Sequence, residues 1–126
     1  MKTIINTSNA PAPIGPYNQA VLVGDTMYVS GQIALIAESG KMAQATISEE
    51  ATQVMHNLKA ILEEAGMNFG NIVKTTIFLK NMADFSVVNE VYGSFFSVDF
   101  PARETVEVAR LPKDANVEIS CIAVKS

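Results

Sequence analysis

The residues best suited to chemistry in this 126-residue chain are two charged side chains in its last quarter. Arg103 follows Pro101 at the start of one strand-like run, and Glu118 lies between Val117 and Ile119 inside another. A carboxylate in an apolar strand is costly unless it is paired, exposed or used in chemistry. The planar guanidinium of arginine matches a carboxylate bidentately. Together they indicate a pocket for a small anion with an acid or a base beside it.

The spacing of these two residues bears on where such a pocket lies. If the last two strands pair antiparallel around a turn near residues 112–115, Arg103 is level with about residue 124 and Glu118 with about residue 109. At about 3.3 Å per residue, the two then stand ~20 Å apart within one chain. One small ligand cannot touch both. We therefore hypothesise that a site using both residues is formed between neighbouring chains.

The sequence predicts eight elements in the order β-β-β-α-β-α-β-β. A capping box of Thr46 and Glu49 begins the clearest helix, which Gly66 ends. The Gly24-Asp25 turn predicts a hairpin. The predicted ranges are strands at 3–5, 18–23 and 26–30, a helix at 46–65, a strand at 71–79, a helix at 82–96, and the two final strands.

These elements predict a single domain over residues 1–126 with an α+β fold. Its architecture is a two-layer sandwich, in which two helices cover one face of a six-stranded mixed sheet. The strand segments IVKTTIFL, TMYVSG and ISCIAV are apolar on both faces. A sheet that is buried on both faces needs a cover for its second face. Since no chain remains to supply that cover, we expect a homo-oligomer.

Composition narrows the class of protein. Charged residues make up 17% of the chain and the net charge is −4, which favours an oligomer and argues against nucleic-acid binding. Cys121 is the only cysteine, so no internal disulfide is possible, and we expect a buried hydrophobe there. His56, the only histidine, has no metal-ligand partners at suitable spacing. No signal peptide or membrane span is evident, and we expect a cytoplasmic protein.

Four segments carry a resemblance to a known family. They are IGPYNQAV at 14–21, VSGQI at 29–33, NIVKTTIFLKNMADFSVVNEVY at 71–92, and PAR-x-x-VEVARLPKD followed by VEI near the C-terminus. In order and spacing they closely resemble the RidA (YjgF) family of reactive-intermediate deaminases over nearly the whole chain. The resemblance implies a chorismate-mutase-like fold and a homotrimer with ligand clefts between subunits.

The resemblance also implies an activity. It is the hydrolysis of short 2-imino acids, such as 2-iminobutanoate and 2-iminopropanoate released by pyridoxal-phosphate enzymes, to 2-keto acids and ammonium. Arg103 would bind the substrate carboxylate, and Glu118 would hold and deprotonate the attacking water. No metal and no organic cofactor is implied. The implied substrate-binding residues are Tyr17, Ser30, Gly31, Asn89 and Thr105.

Several alternatives stay open at this point. Taken alone, Arg103 and Asn89 are also typical of solvated surface residues, and Ser30-Gly31 of a simple strand end. Thr105 stands where many deaminases of the family carry cysteine. Threonine can serve if that position contributes backbone or shape, but not if the reaction needs a thiol. A module that binds a small metabolite without turnover would use the same arginine. An endoribonuclease is disfavoured by the negative charge and the absence of a basic stripe.

Overall fold

The computed structural model describes residues 1–126 as one six-stranded mixed sheet packed against two helices. This α+β architecture and the order of its elements agree with the prediction. Neither helix is long and apolar enough to cross a membrane. The elements are β1 Lys2–Ile5, β2 Ala20–Val23, β3 Thr26–Gln32, α1 Ile47–Glu64, β4 Ile72–Leu79, α2 Phe85–Gly93, β5 Ala102–Glu107 and β6 Val117–Val124.

Helix α1 forms as its sequence predicts. The hydroxyl of Thr46 accepts a hydrogen bond from the Glu49 backbone N–H at 3.0 Å and caps the first turn. Gly66 follows the helix with a φ of +72°, a conformation that suits glycine. Apolar side chains at helical spacing pack over the central strands and form the main core with them. The α1 members of this core are Ala51, Val54, Met55, Leu58, Ile61 and Leu62.

Helix α2 is shorter than predicted, because both ends of the 82–96 segment adopt other structure. Residues 82–84 form a separate 3₁₀ helix. The side chain of Asn81 caps it by accepting a hydrogen bond from the Ala83 N–H at 2.9 Å. At the other end, the Ser94 hydroxyl donates to the Val91 carbonyl at 2.6 Å. Such local side-chain bonds to the backbone compete with continuation of a helix.

The predicted pairing of the last two strands is wrong. The strand order is β1-β2-β3-β6-β4-β5, so β4 lies between β6 and β5. Strand β4 is antiparallel to β6 and parallel to β5. The apolar strand β4 gains hydrogen bonds on both sides in this central position. Strand β5, which carries Arg103, Glu104 and Glu107, takes the edge, where charged side chains remain solvated.

The two faces of the sheet differ in what covers them. Both helices pack on one face, where alternate β6 residues are fully buried. The opposite face, called the open face below, carries apolar side chains that no element of the chain covers. Tyr28 is 51% exposed, Ile4 is 44% exposed and Val106 is 40% exposed on this face. An uncovered apolar sheet face is consistent with the predicted oligomer.

A buried carboxylate ties helix α1 to the start of β6. Glu50 is fully buried, and its two carboxylate oxygens accept hydrogen bonds from the backbone N–H and side-chain amide of Asn116 at 2.7 and 2.8 Å. Asn116 directly precedes β6, the strand that carries Glu118. This contact therefore fixes the start of β6 relative to helix α1.

We expect Glu50→Ala to lower the free energy of unfolding by about 2 kcal/mol, because it leaves the Asn116 donors without an acceptor. Glu64→Ala, at an exposed position near the end of the same helix, is the matched control and should stay within about 0.5 kcal/mol of wild type. Chemical denaturation at one fixed protein concentration measures both. Equal losses in the two variants would contradict a specific role for the Glu50–Asn116 contact.

Candidate functional site

Arg103 lies on the edge strand β5 with its side chain against helix α2. Its Nη1 donates to Asn89 Oδ1 at 2.7 Å. Its Cζ lies 5.0 Å from the Tyr92 ring centroid and 5.7 Å from that of Phe85. The two ion pairs of the structure are Lys74–Glu104 and Arg110–Asp114, so no carboxylate neutralises Arg103. The guanidinium is thus held in place and remains available to an anion.

An open cleft of about 320 Å³ lies beside this guanidinium. Its walls combine one cation, one side-chain amide and aromatic rings. Such a lining suits a small carboxylate that carries an apolar substituent. The cleft is bounded by Asn89, Tyr92, Gly93, Phe100, Pro101 and Arg103.

Glu118 lies in a different recess, at the end of the open face where β3 and β6 meet the N-terminal loop. The walls near it combine apolar Ile14, Ile33 and Pro112 with polar Gln19 and Gln32. Burial raises the pKa of the Glu118 carboxyl above its ordinary value. A carboxyl whose pKa is shifted toward neutrality is suited to giving and taking protons.

Gly31 is what allows the Glu118 carboxylate to reach this position. A Cβ placed on Gly31 would lie 2.7 Å from Cδ and 3.0 Å from Cγ of Glu118. Any larger residue would displace the carboxylate. The close approach of Glu118 therefore explains why residue 31 is a glycine.

Tyr17 and Ser30 lie near the same recess but differ in what they offer it. The ring of Tyr17 forms part of the wall, and its hydroxyl accepts from Ile14 N–H at 3.3 Å. The Ser30 hydroxyl donates to the Asn18 carbonyl at 2.7 Å and is not part of the wall. The hydroxyl of Ser30 therefore holds the backbone that precedes β2, whereas the ring of Tyr17 faces the recess.

Thr105 stands two residues after Arg103 and on the same face of β5. It is level with Ile77 of β4. Its hydroxyl is buried and has no hydrogen-bond partner in the chain. Buried hydroxyls are usually paired, since leaving one unpaired costs free energy. The Thr105 hydroxyl thus retains unused hydrogen-bonding capacity close to the arginine.

The structure does not bring Arg103 and Glu118 together within one chain. Arg103 pairs with Thr75, which is level with Cys121 of β6, whereas Glu118 pairs with Phe78 three residues along β4. Three residues along the strands and two strand spacings across the sheet separate their Cα atoms by ~14 Å. A directly paired hairpin would place them ~20 Å apart. The alternation along the strands also places them on opposite faces. One small ligand still cannot touch both.

Two supports of Arg103 were missed by sequence reasoning. Neither Phe85 nor Tyr92 was among the residues expected at the site, yet their rings pack against the guanidinium. The signal was present in the sequence, because residues 85, 89 and 92 share one helical face. The N-terminal loop also forms part of the recess near Glu118, where Ile14 lies beside the expected Tyr17.

Comparison with known proteins agrees with the resemblance in the motifs. The family described as Endoribonuclease L-PSP matches residues 7–125. A Homo sapiens protein named 2-iminobutanoate/2-iminopropanoate deaminase is 45% identical over 125 residues, which cover 99% of this chain and 91% of that protein. A Pyrococcus horikoshii protein, 46% identical over 99% of both chains, is named only as a RutC family protein.

Solved structures show the same fold. The crystal structure of E. coli TdcF with bound serine superimposes with a TM-score of 0.95 at 42% identity, covering 98% of this chain and 99% of that one. Because the family match and these relatives span nearly the whole chain, the protein belongs to the RidA (YjgF) family.

The raised pKa of Glu118 makes stability depend on pH. The folded state favours the protonated carboxyl of Glu118. At pH values between the pKa of the unfolded state, about 4.3, and the higher pKa of the folded state, the folded protein therefore binds more protons than the unfolded protein. The free energy of unfolding therefore falls as pH rises through this window.

We expect Glu118→Gln to remove that penalty. The variant should match wild type below about pH 4 and be more stable than wild type at neutral pH. Denaturation curves at the two pH values, at equal protein concentration, measure the difference. Glu63→Gln, an exposed position of α1, is the control. A Glu118→Gln difference that is the same at both pH values would rule out this titration.

Proposed function

We propose that this protein hydrolyses short 2-imino acids, such as 2-iminobutanoate and 2-iminopropanoate, to the corresponding 2-keto acids and ammonium. The observation that carries the proposal is the guanidinium of Arg103, which is held beside an open cleft without a carboxylate partner. A short 2-imino acid offers the carboxylate that this cation needs. The name of the human relative supports the same chemistry.

The site is completed by a neighbouring chain in this proposal. Arg103 of one subunit and Glu118 of the next would face each other across an interface of a chorismate-mutase-like homotrimer. A cyclic trimer joins two different surfaces at each interface, which suits groups on opposite faces of the sheet. The uncovered apolar side chains of the open face support such an assembly.

The proposed reaction needs few groups. Arg103 binds the carboxylate and places the protonated C=N bond next to one water. Glu118 removes a proton from the water as its oxygen bonds to the imine carbon, and the C=N electron pair moves to nitrogen. The same carboxyl then returns its proton to the nitrogen. The resulting protonated aminoalcohol expels ammonia as Glu118 takes the proton of its hydroxyl, which leaves the 2-keto acid. Transfer of that proton to ammonia gives ammonium and restores the carboxylate.

The other expected substrate-binding residues take supporting parts. Asn89 holds Arg103, and Gly31 gives Glu118 its room. Tyr17 would contribute its ring to the wall around the substrate. Thr105 would contribute backbone or hydroxyl contacts in place of the cysteine of many relatives, and its unpaired hydroxyl supports this. Ser30 would act indirectly, through the backbone that it braces.

The first test is a coupled assay with threonine dehydratase that follows the disappearance of 2-iminobutanoate. Wild type should accelerate it, and Arg103→Ala should lose at least about 100-fold of this acceleration, because the substrate is no longer oriented. Lys59→Ala, which removes a cation from the exposed side of α1, should behave as wild type. Loss of the oligomer in Arg103→Ala would instead identify a structural arginine.

A mixing experiment tests the shared site. Arg103→Ala and Glu118→Gln should each be inactive alone, the second by about 10²–10⁴-fold for a lost general base. Trimers formed after co-expression in equal amounts should regain about a quarter of the wild-type activity, since that fraction of interfaces joins both native residues. Arg103→Ala mixed with the double variant is the negative control. No recovery in the first mixture would contradict a site formed by two chains.

A second candidate function is a metabolite-binding module without turnover. Thr105 in place of cysteine favours it, and the serine-bound TdcF structure shows that a relative holds a small amino acid. Calorimetric binding of 2-ketobutyrate without acceleration of imine loss would select this function. An endoribonuclease, the activity after which the matching family is named, fits poorly with the net charge of −4.

A further inference from the structure

Tyr92 is the most deeply placed of the groups around Arg103. It is only 4% exposed, whereas Phe85, the other ring beside the guanidinium, is 37% exposed. The rings belong to one stripe of α2, which also carries Asn89. The buried ring can therefore act as a fixed surface for the guanidinium, and the exposed ring as a more mobile one.

A buried hydrogen bond fixes the ring of Tyr92. Its hydroxyl lies 2.7 Å from the hydroxyl of Thr75, which is 1% exposed on β4. Burial raises the pKa of the Tyr92 phenol, so the hydroxyl stays neutral in this bond, in which either hydroxyl can be the donor. Thr75 is also the residue level with Arg103 in the β4–β5 pairing. The sheet thus sets the position of the ring that carries the guanidinium.

The orientation that results leaves one edge of the guanidinium free. The only hydrogen bond of Arg103 runs from Nη1 to Asn89 Oδ1, so Nε and Nη2 have no partner in the chain. These two donors form the parallel fork that binds a carboxylate bidentately. A long arginine side chain ordered before binding loses less rotamer entropy when the ligand arrives.

We propose that Tyr92 is a positioning residue, whose buried ring and hydrogen bond to Thr75 hold Arg103 in the orientation that binds a ligand carboxylate. This inference rests on the proposed function for the identity of the ligand, a short 2-keto or 2-imino acid. Tyr92 acts through Arg103. Its effect is therefore confined to ligands that carry the negative charge.

The experiment compares a charged ligand with a neutral analogue. Calorimetry measures the Kd of wild type and Tyr92→Leu for 2-ketobutyrate and for its amide, 2-ketobutyramide. Tyr92→Leu should raise the Kd of 2-ketobutyrate about tenfold, which is within the range expected for loss of a desolvated cation–π contact. Binding of the amide should change less than about twofold. In the coupled assay KM should rise while kcat stays nearly constant.

Two further variants keep the test decisive. Phe96→Leu is the matched control, because its ring packs 4.9 Å from that of Tyr92 but not over Arg103. It should leave the preference for the charged ligand unchanged. Thr75→Val removes the hydrogen-bond partner of Tyr92 at a buried position that no ligand reaches. It should weaken the binding of 2-ketobutyrate about threefold. If Tyr92→Leu does not assemble like wild type by size-exclusion chromatography, Thr75→Val decides the outcome.

The results separate this inference from the proposed function. If wild type hydrolyses the imine but Tyr92→Leu or Thr75→Val binds 2-ketobutyrate as wild type does, the positioning role is wrong and the function stands. An equal loss for acid and amide would also overturn it. If wild type binds 2-ketobutyrate without turnover and the variants lose only the acid, the function fails and the positioning role stands. If wild type neither binds 2-ketobutyrate nor accelerates imine loss, both are wrong.

Discussion

The constraint on which the site depends is the alternation of side chains across strands β6, β4 and β5. Because successive residues of a strand point to opposite faces, pairing alone decides which face each charged group occupies. Arg103 shares its face with Thr75 and the helices, whereas Glu118 shares the open face with Phe78. A shift of one residue in either pairing would move Arg103 or Glu118 to the opposite face of the sheet and lose this division.

Each charged group is then prepared separately for a ligand. Arg103 lies against two aromatic rings and an amide, none of which neutralises its charge. Glu118 lies in a recess of mixed polarity, where Gly31 leaves room for its carboxylate, and burial raises its pKa. Within one chain the guanidinium and the carboxyl proposed to serve the ligand are thus kept apart. The assembly proposed above would bring them together.

Much of the fold follows from local sequence patterns. The cap at Thr46 and the apolar spacing after it define α1, and the Gly24-Asp25 turn defines the first hairpin. The end of α2 did not follow, because the Ser94 hydroxyl bond to the Val91 carbonyl is a local competitor that periodicity does not reveal. The pairing of β5 with β4 did not follow either. Neighbouring strands in the sequence suggested a hairpin, and only the sheet as a whole shows that β4 separates them.

The sequence by itself determined the family, the order of the elements and the choice of Arg103 and Glu118, because residue types and spacing carry those signals directly. The tertiary structure alone decided the faces on which the two groups lie. It also revealed the ring of Tyr92 beneath the guanidinium and the crowding that makes residue 31 a glycine. The physical reason is that strand order and packing depend on contacts between residues far apart in the chain, which no local pattern encodes.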